Sequence, residues 1–318
     1  MAGEDLVNKA FKFRIYPDEP QRMKIEKTFS CVRFVYNKML SDKMQHYRQT
    51  GKMLRNTPAQ YKKEFPWLKE VDSLALANAQ LHLQSAFEHY FNQPDGTVPK
   101  FKSRKRSKKC YTTNCVYGNI QIRDGHIRLP KIGYIRMKQH RMIPKSYILK
   151  SVTVSRNISG NYFVSVLFEY PKTETQAETN RTLDIAYSEK ELYIDADGVT
   201  HEYPDYLRKT LAQIEREKRK LLHMKKGSQN RKKQFVRIVR LKERFYNQRS
   251  DFLHKQSRQI TNAYDCVYVR ETSAEARKNL GWWLFKFYLK YKLNDAGKTF
   301  IGSDDILFSN HLIGAQAV

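Results

Sequence analysis

Acidic residues are scarce in this 318-residue chain: 32 Asp and Glu face 59 Lys and Arg, a formal net charge of +27. Self-repulsion on that scale disfavours a compact monomer unless a polyanion or counterions offset it. The four cysteines, Cys31, Cys110, Cys115 and Cys266, form no C-x-x-C pair, which argues against a zinc ribbon and fits unpaired thiols in a reducing compartment. No apolar run approaches the ~18 residues that span a bilayer. Met1 to Asn8 carries Glu4 and Asp5 and lacks a signal-peptide core. These absences point to a cytoplasmic protein without a membrane partner. The positive charge is spread along the chain and not gathered in one tail or amphipathic helix, which favours nucleic acid over a membrane surface.

What is present is enough to fold. Hydrophobic residues make up 40% and aromatics 13%, so packed cores are affordable and two or three domains fit the length. Lys9 to Ile15 alternates basic and apolar residues and predicts a strand. Gln21 to Tyr47 and Ser73 to Phe91 carry helical stripes, separated by a loop near Pro58 and a break at Pro66. Lys100 to Lys109 holds seven basic residues and no acid. Short strand-like segments follow up to Tyr170, divided by turns such as Asp124-Gly125 and Ser159-Gly160-Asn161. A polar linker runs from Pro171 to Asn180. Beyond it come strands near Leu183 to Ser188 and Glu191 to Ile194, then two basic helices broken at Lys226-Gly227-Ser228. Their expected apolar faces are Leu207, Leu211, Ile214 and Leu221, and Phe235, Ile238, Phe245 and Phe252. Asp265 to Arg270 reads as a strand and Gly281 to Leu293 as an aromatic helix, with Trp282, Trp283, Phe285 and Phe287 expected in the core.

Several segments, in this order and spacing, resemble TnpB, the compact RNA-guided nuclease of bacterial transposons. They are Phe13-Arg-Ile-Tyr-Pro17 with Gln21, Cys31-Val-Arg-Phe-Val-Tyr-Asn37, Pro99-Lys-Phe-Lys102, Tyr111-Thr-Thr-Asn114, and Leu129-Pro-Lys131 before Gly133. Lys225-Lys-Gly-Ser228 and Asn247-Gln-Arg-Ser-Asp-Phe-Leu-His254 complete the set. The resemblance implies an α+β multidomain fold. Residues 1–16 and 97–172 would form an oligonucleotide-binding-like β-barrel, interrupted by a helical recognition insertion at 17–96. Residues 181–318 would form a degenerate, truncated RuvC-like domain of ribonuclease-H fold, with a helical hairpin at 205–260 and no zinc ribbon.

The family's chemistry is two-metal phosphodiester hydrolysis, which needs three carboxylates. Anchoring on Leu192-Tyr-Ile-Asp195 places Ala186 in the first acid's slot, with Asp184 two residues away on the same strand face. Cys266-Val-Tyr-Val-Arg-Glu-Thr272 places Arg270 in the second, where a guanidinium repels cations, although a strand-end surface role would also suit it. The third acid normally lies beyond two C-x-x-C pairs, and neither pair follows Asp265. The expectation is therefore no metal, no cofactor and no nuclease activity. The chain would be a monomer in a ribonucleoprotein, pairing a guide RNA with double-stranded target DNA and repressing transcription by occupancy, nucleoid-associated when bound.

The resemblance also implies that Ser73–Gln80 and Thr112–Asn114 read a short DNA motif flanking the target, which makes Asn78, Gln80, Thr112, Thr113 and Asn114 candidate readers. Their Asn and Gln side chains can pair bidentately with adenine, although Asn78 and Gln80 could equally face solvent. Candidate backbone contacts are Lys100, Lys102, Arg104, Lys105 and Arg106 in the basic arm, with Lys225, Lys226, Arg231 and Lys232 in the hairpin. Two other readings stay open: an active endonuclease using Asp184, Glu271 and Asp304, and an unguided RNA-binding protein.

Overall fold

A computed structural model describes residues 6–93, 96–171, 179–270 and 281–302. The chain divides into two compact units, Met1–Lys172 and Thr173–Val318.

The first unit is a seven-stranded antiparallel sheet with helices between its first two strands in sequence. Strand β1 (Leu6–Tyr16) buries Phe11, Phe13 and Ile15 and turns Lys12, Arg14 and Tyr16 outward, following the alternation of the sequence. Helices α1 (Glu19–Thr50), α2 (Pro58–Glu64) and α3 (Ser73–Asn92) follow, with a 3₁₀ turn at Pro66–Glu70. The loop expected near Pro58 is thus a helix: Thr57 and Gln60 form a capping box and Pro58 occupies the first turn.

Strands β2 (Lys109–Asn114), β3 (Gln121–Arg123), β4 (His126–Leu129), β5 (Gly133–Lys138), β6 (Ile148–Arg156) and β7 (Tyr162–Pro171) complete the sheet in the order β2-β6-β7-β1-β5-β4-β3. Asp124 and Gly125, both at positive φ, make the β3–β4 turn, the geometry that an Asp-Gly hairpin favours. The expected barrel does not close. β2 and β3 are the two edges of a curled half-barrel, and α3 lies along β2.

The matched segments act as joints in this unit. Gln21 caps α1 reciprocally with Asp18 while its Nε2 donates to the Tyr134 carbonyl at 2.8 Å. The Asn37 side chain donates to the Lys102 carbonyl at 2.9 Å and accepts from the Lys102 N–H at 2.8 Å, fixing the basic arm to α1.

The second unit holds a five-stranded mixed sheet in the order β10-β9-β8-β11-β12. The strands β8 (Thr182–Ala186), β9 (Tyr193–Asp195) and β10 (Thr200–His201) form an antiparallel meander. Then β11 (Cys266–Arg270) and β12 (Thr299–Gly302) add parallel to β8. Parallel pairing needs long crossovers, here supplied by α4 (Asp205–Leu222) with α5 (Gln229–Ala263), and by α6 (Trp282–Asp295). Leu207, Ile214, Ile238, Phe245 and Leu253 are buried, but Phe235, expected on that face, is exposed because it lies near the free end of the hairpin.

The Asn247–His254 segment is where α6 docks on α5. Ser250 bonds the Tyr288 hydroxyl at 2.9 Å, His254 stacks on Tyr288, and the His254 carbonyl accepts from the buried Lys292 at 2.6 Å. Gly281 permits the approach, since a Cβ there would sit 2.9 Å from Leu253 Cδ1.

Glu26 on α1 clasps the sheet. Its carboxylate accepts from Arg156 at 2.8 Å, Lys109 at 3.1 Å and Tyr162 at 3.1 Å. Burial raises its pKa, but these bonds, Arg156 foremost, outweigh that and hold it below its ordinary value. A depressed carboxyl stabilises the fold above its unfolded pKa, and that stability is lost as pH falls through the folded value. Glu26→Gln is expected to lower the urea midpoint at pH 7 and to flatten its dependence on pH below about 4.5. Denaturation curves across that acid range, read for both proteins, check this.

Candidate nucleic-acid interface

The expected motif readers converge where α3 begins. Asp72 caps α3 through the Leu74 N–H at 3.1 Å and also accepts from the Thr113 hydroxyl, so β2 is pinned to the helix start. Asn78 donates to the Leu74 carbonyl at 2.9 Å and to Asn114 Oδ1 at 3.4 Å. Two segments distant in sequence thus meet, but their roles differ. Thr113 is 0% exposed and Asn78 is buried, so neither presents itself to a base; they position the half-buried Asn114. Thr112, also half-buried, shares a 2.8 Å hydroxyl bond with Thr153. Gln80 lies two residues beyond Asn78, about 200° around the helix, and is not part of this group.

The basic candidates divide in the same way. Lys100, Arg104, Lys105 and Arg106 are exposed, whereas Lys102 is folded over the Tyr36 ring at 3.9 Å, and desolvation lowers its pKa. In the hairpin, Lys225, Lys226 and Lys232 are exposed, but Arg231 donates to the Leu221 and Met224 carbonyls at 2.6 and 2.9 Å and so caps the end of α4. Arg231 and Lys102 are therefore structural cations.

Sequence reasoning missed two long cationic stripes. Lys209, Arg216, Arg219 and Lys220 line a groove along α4, and Lys233, Arg237, Arg240 and Arg244 line one along α5. The α5 spacing of four, three and four residues was a readable signal for one helix face. Between the helices the Glu217 carboxylate is buried, accepting from Gln234 at 2.7 Å and Lys220 at 3.0 Å. The Gln234 bond, then Lys220, keeps its pKa low.

The strand ends carry the remaining chemistry. β8 and β11 run parallel with Asp184 beside Tyr268 and Ala186 beside Arg270, so the two positions read as acid slots are neighbours. Arg270 reaches back along the strand to Asp184: Nε donates to Oδ1 at 2.9 Å and Nη2 donates to Oδ2. This bidentate pair holds the Arg270 pKa above its ordinary value. Among the described residues, the Asp184 carboxylate at these strand ends is engaged by Arg270 and is not free to hold a divalent cation in this arrangement. Among the described residues no group of three His, Cys, Asp or Glu is placed to hold a metal. Glu271, Asp304 and Asp305 lie outside the described residues. Arg270→Ala is expected to release Asp184 and raise affinity for Mn²⁺ about tenfold, the order expected for deleting an adjacent charge in a high effective dielectric. A spin-resonance titration that shows equal binding by both proteins would mean that Arg270 does not control that carboxylate.

Comparison with known proteins bears on this arrangement. A helix-turn-helix domain model matches residues 1–52 and a probable transposase model matches residues 165–279. Residues 6–50 within the first match form one strand and one long helix. The chain is 29% identical to a putative RNA-guided DNA endonuclease of Streptomyces pristinaespiralis, over 97% of its own length and 80% of that protein. It is 24% identical to the putative RNA-guided DNA endonuclease InsQ of Escherichia coli strain K12, over 83% of its length and 66% of InsQ. Virulence protein VsdF of Salmonella dublin is 36% identical over 30% of this chain. The protein in the Cas12f1-sgRNA-target DNA complex shares the fold, with a TM-score of 0.55, 12% identity, and coverage of 93% of this chain and 89% of that one. These relatives overturn the expectation that the chain is no enzyme, because it falls among proteins named as endonucleases and within a transposase model. The expectation had rested on Ala186 and Arg270 in two acid slots and on the missing third acid and C-x-x-C pairs, whereas the similarity extends along nearly the whole chain. Along most of its length the chain is similar to TnpB/IS605 OrfB transposase-like proteins.

Proposed function

We propose that this protein binds a guide RNA and, through it, a matching double-stranded DNA beside a short flanking motif. The observation that carries the reading is the likeness to a putative RNA-guided DNA endonuclease across 97% of the chain. The cationic stripes of α4 and α5 and the exposed basic arm support it. They can track a sugar-phosphate backbone without reading sequence, which base pairing supplies. In this reading Asn114, with Thr112 beside it, contacts the flanking motif. The antiparallel meander continued by two parallel strands supports a RuvC-like assignment for residues 181–318, with residues 17–96 as the recognition insertion.

Occupancy of a target near a promoter would exclude polymerase and repress transcription. That consequence follows from a long-lived complex whether or not the DNA strands are afterwards cut. No helix among the described residues is long and apolar enough to cross a membrane.

Sequencing RNA purified with the protein is expected to return one scaffold with a defined end, joined to a guide. The loaded complex should shift matched DNA and not a scrambled duplex. Its affinity should fall steeply with salt, as phosphate neutralisation requires. Denaturing gels of the same reactions in Mg²⁺ read strand cleavage separately. Asn114→Ala should weaken matched-DNA binding about five- to a hundredfold, the range for one base contact, while sparing guide RNA binding. A heterogeneous RNA pool with no sequence-dependent DNA shift would overturn the guided reading in favour of unguided RNA binding.

A further inference from the structure

The described part of α6 carries more aromatic surface than its core requires. Trp282, Phe285, Leu289 and Leu293 face inward and are buried, which satisfies the packing of this helix on the sheet and on α5. Trp283 and Phe287 were expected to join them but are 69% and 54% exposed. They stand four residues apart, hence on one helix face, with ring planes 4° from parallel and centroids 6.3 Å apart. Tyr291, four residues further, flanks this parallel pair, its ring centroid 5.8 Å from that of Phe287 and its plane tilted by 52°. Lys286 and Lys290 each follow a ring residue by three positions, along one edge of the row; Lys290 Nζ reaches over the Phe300 ring at 5.5 Å. The helix has no acid before Asp295.

We propose that this row is a stacking platform for unpaired nucleobases of a single-stranded nucleic acid. A nucleobase presents a π-face of any sequence, and stacking on Trp or Phe gains from flat, exposed rings held in parallel. Lysines on the margin supply the charge that its phosphates need. A second copy of this chain would bring another +27 to the same surface, and the family of apolar partners that prefer aliphatic grooves finds little there. The platform is independent of guiding, because any single strand can stack.

The test uses the full chain and a fluorescein-labelled oligothymidylate, with a blunt DNA duplex as the second probe. Anisotropy is expected to show Trp283→Leu and Phe287→Leu each weakening the oligothymidylate about tenfold, within the range of one lost base stack. Duplex binding should stay close to that of the parent, and Trp283→Phe, which keeps a ring, should recover most of the loss. Parental tryptophan emission should be quenched by the oligonucleotide, and that quenching should vanish in Trp283→Leu. Unchanged oligothymidylate binding in both leucine variants overturns the platform. So does an equal loss on the duplex, or a parental dimer that Trp283→Leu dissociates. Failure of the guided reading shows instead in the copurified RNA, which these variants leave untouched.

Discussion

The constraint that shapes this molecule is how few carboxylates it has and that several of them serve as joints of the fold. Glu26 joins α1 to β2, β6 and β7. Asp72 caps α3 and holds β2, and Glu217 lies buried between the hairpin helices. Asp265 accepts the Thr179 and Asn180 N–H groups at 2.5 and 2.6 Å and faces Lys298 at 3.1 Å. Burial opposes the charge on Asp265, yet the Lys298 contact and the two backbone bonds keep its pKa low. Acids used as joints cannot neutralise the outer surface. The surplus cations on α4, α5 and the arm are left facing solvent, where a polyanion or counterions offset them.

That division explains what the sequence could and could not convey. Alternation in Lys9–Ile15 and the Asp-Gly turn state their structure locally, because strand faces and hairpin turns depend on neighbours in the chain. The family segments marked places correctly without revealing purpose. Asn37 serves the Lys102 backbone, and the Asn247–His254 run serves the docking of α6. Both purposes depend on partners 65 and 38 residues away. Thr113 and Asn78 were candidate base contacts through the family segments they lie in, yet both are buried and hydrogen-bonded within the fold. Phe235, Trp283 and Phe287 were misplaced for the converse reason: a helical stripe names a face but not whether anything covers it.

The strand ends show what a parallel register brings together. Ala186 and Arg270 are side by side in the register of β8 and β11. A small residue at 186 leaves room beside β8, and the Arg270 side chain crosses to Asp184, one neighbour along on the same face. Two residues of strand separate those levels by about 6.5 Å, which a guanidinium spans and a shorter side chain would not. Asp184 and Arg270 together form a closed ion pair that is close to neutral. A phosphate approaching these strand ends therefore meets weaker repulsion than it would from free carboxylates. If the chain binds nucleic acid as proposed, a phosphate contact at these strand ends need not depend on a divalent ion held by Asp184.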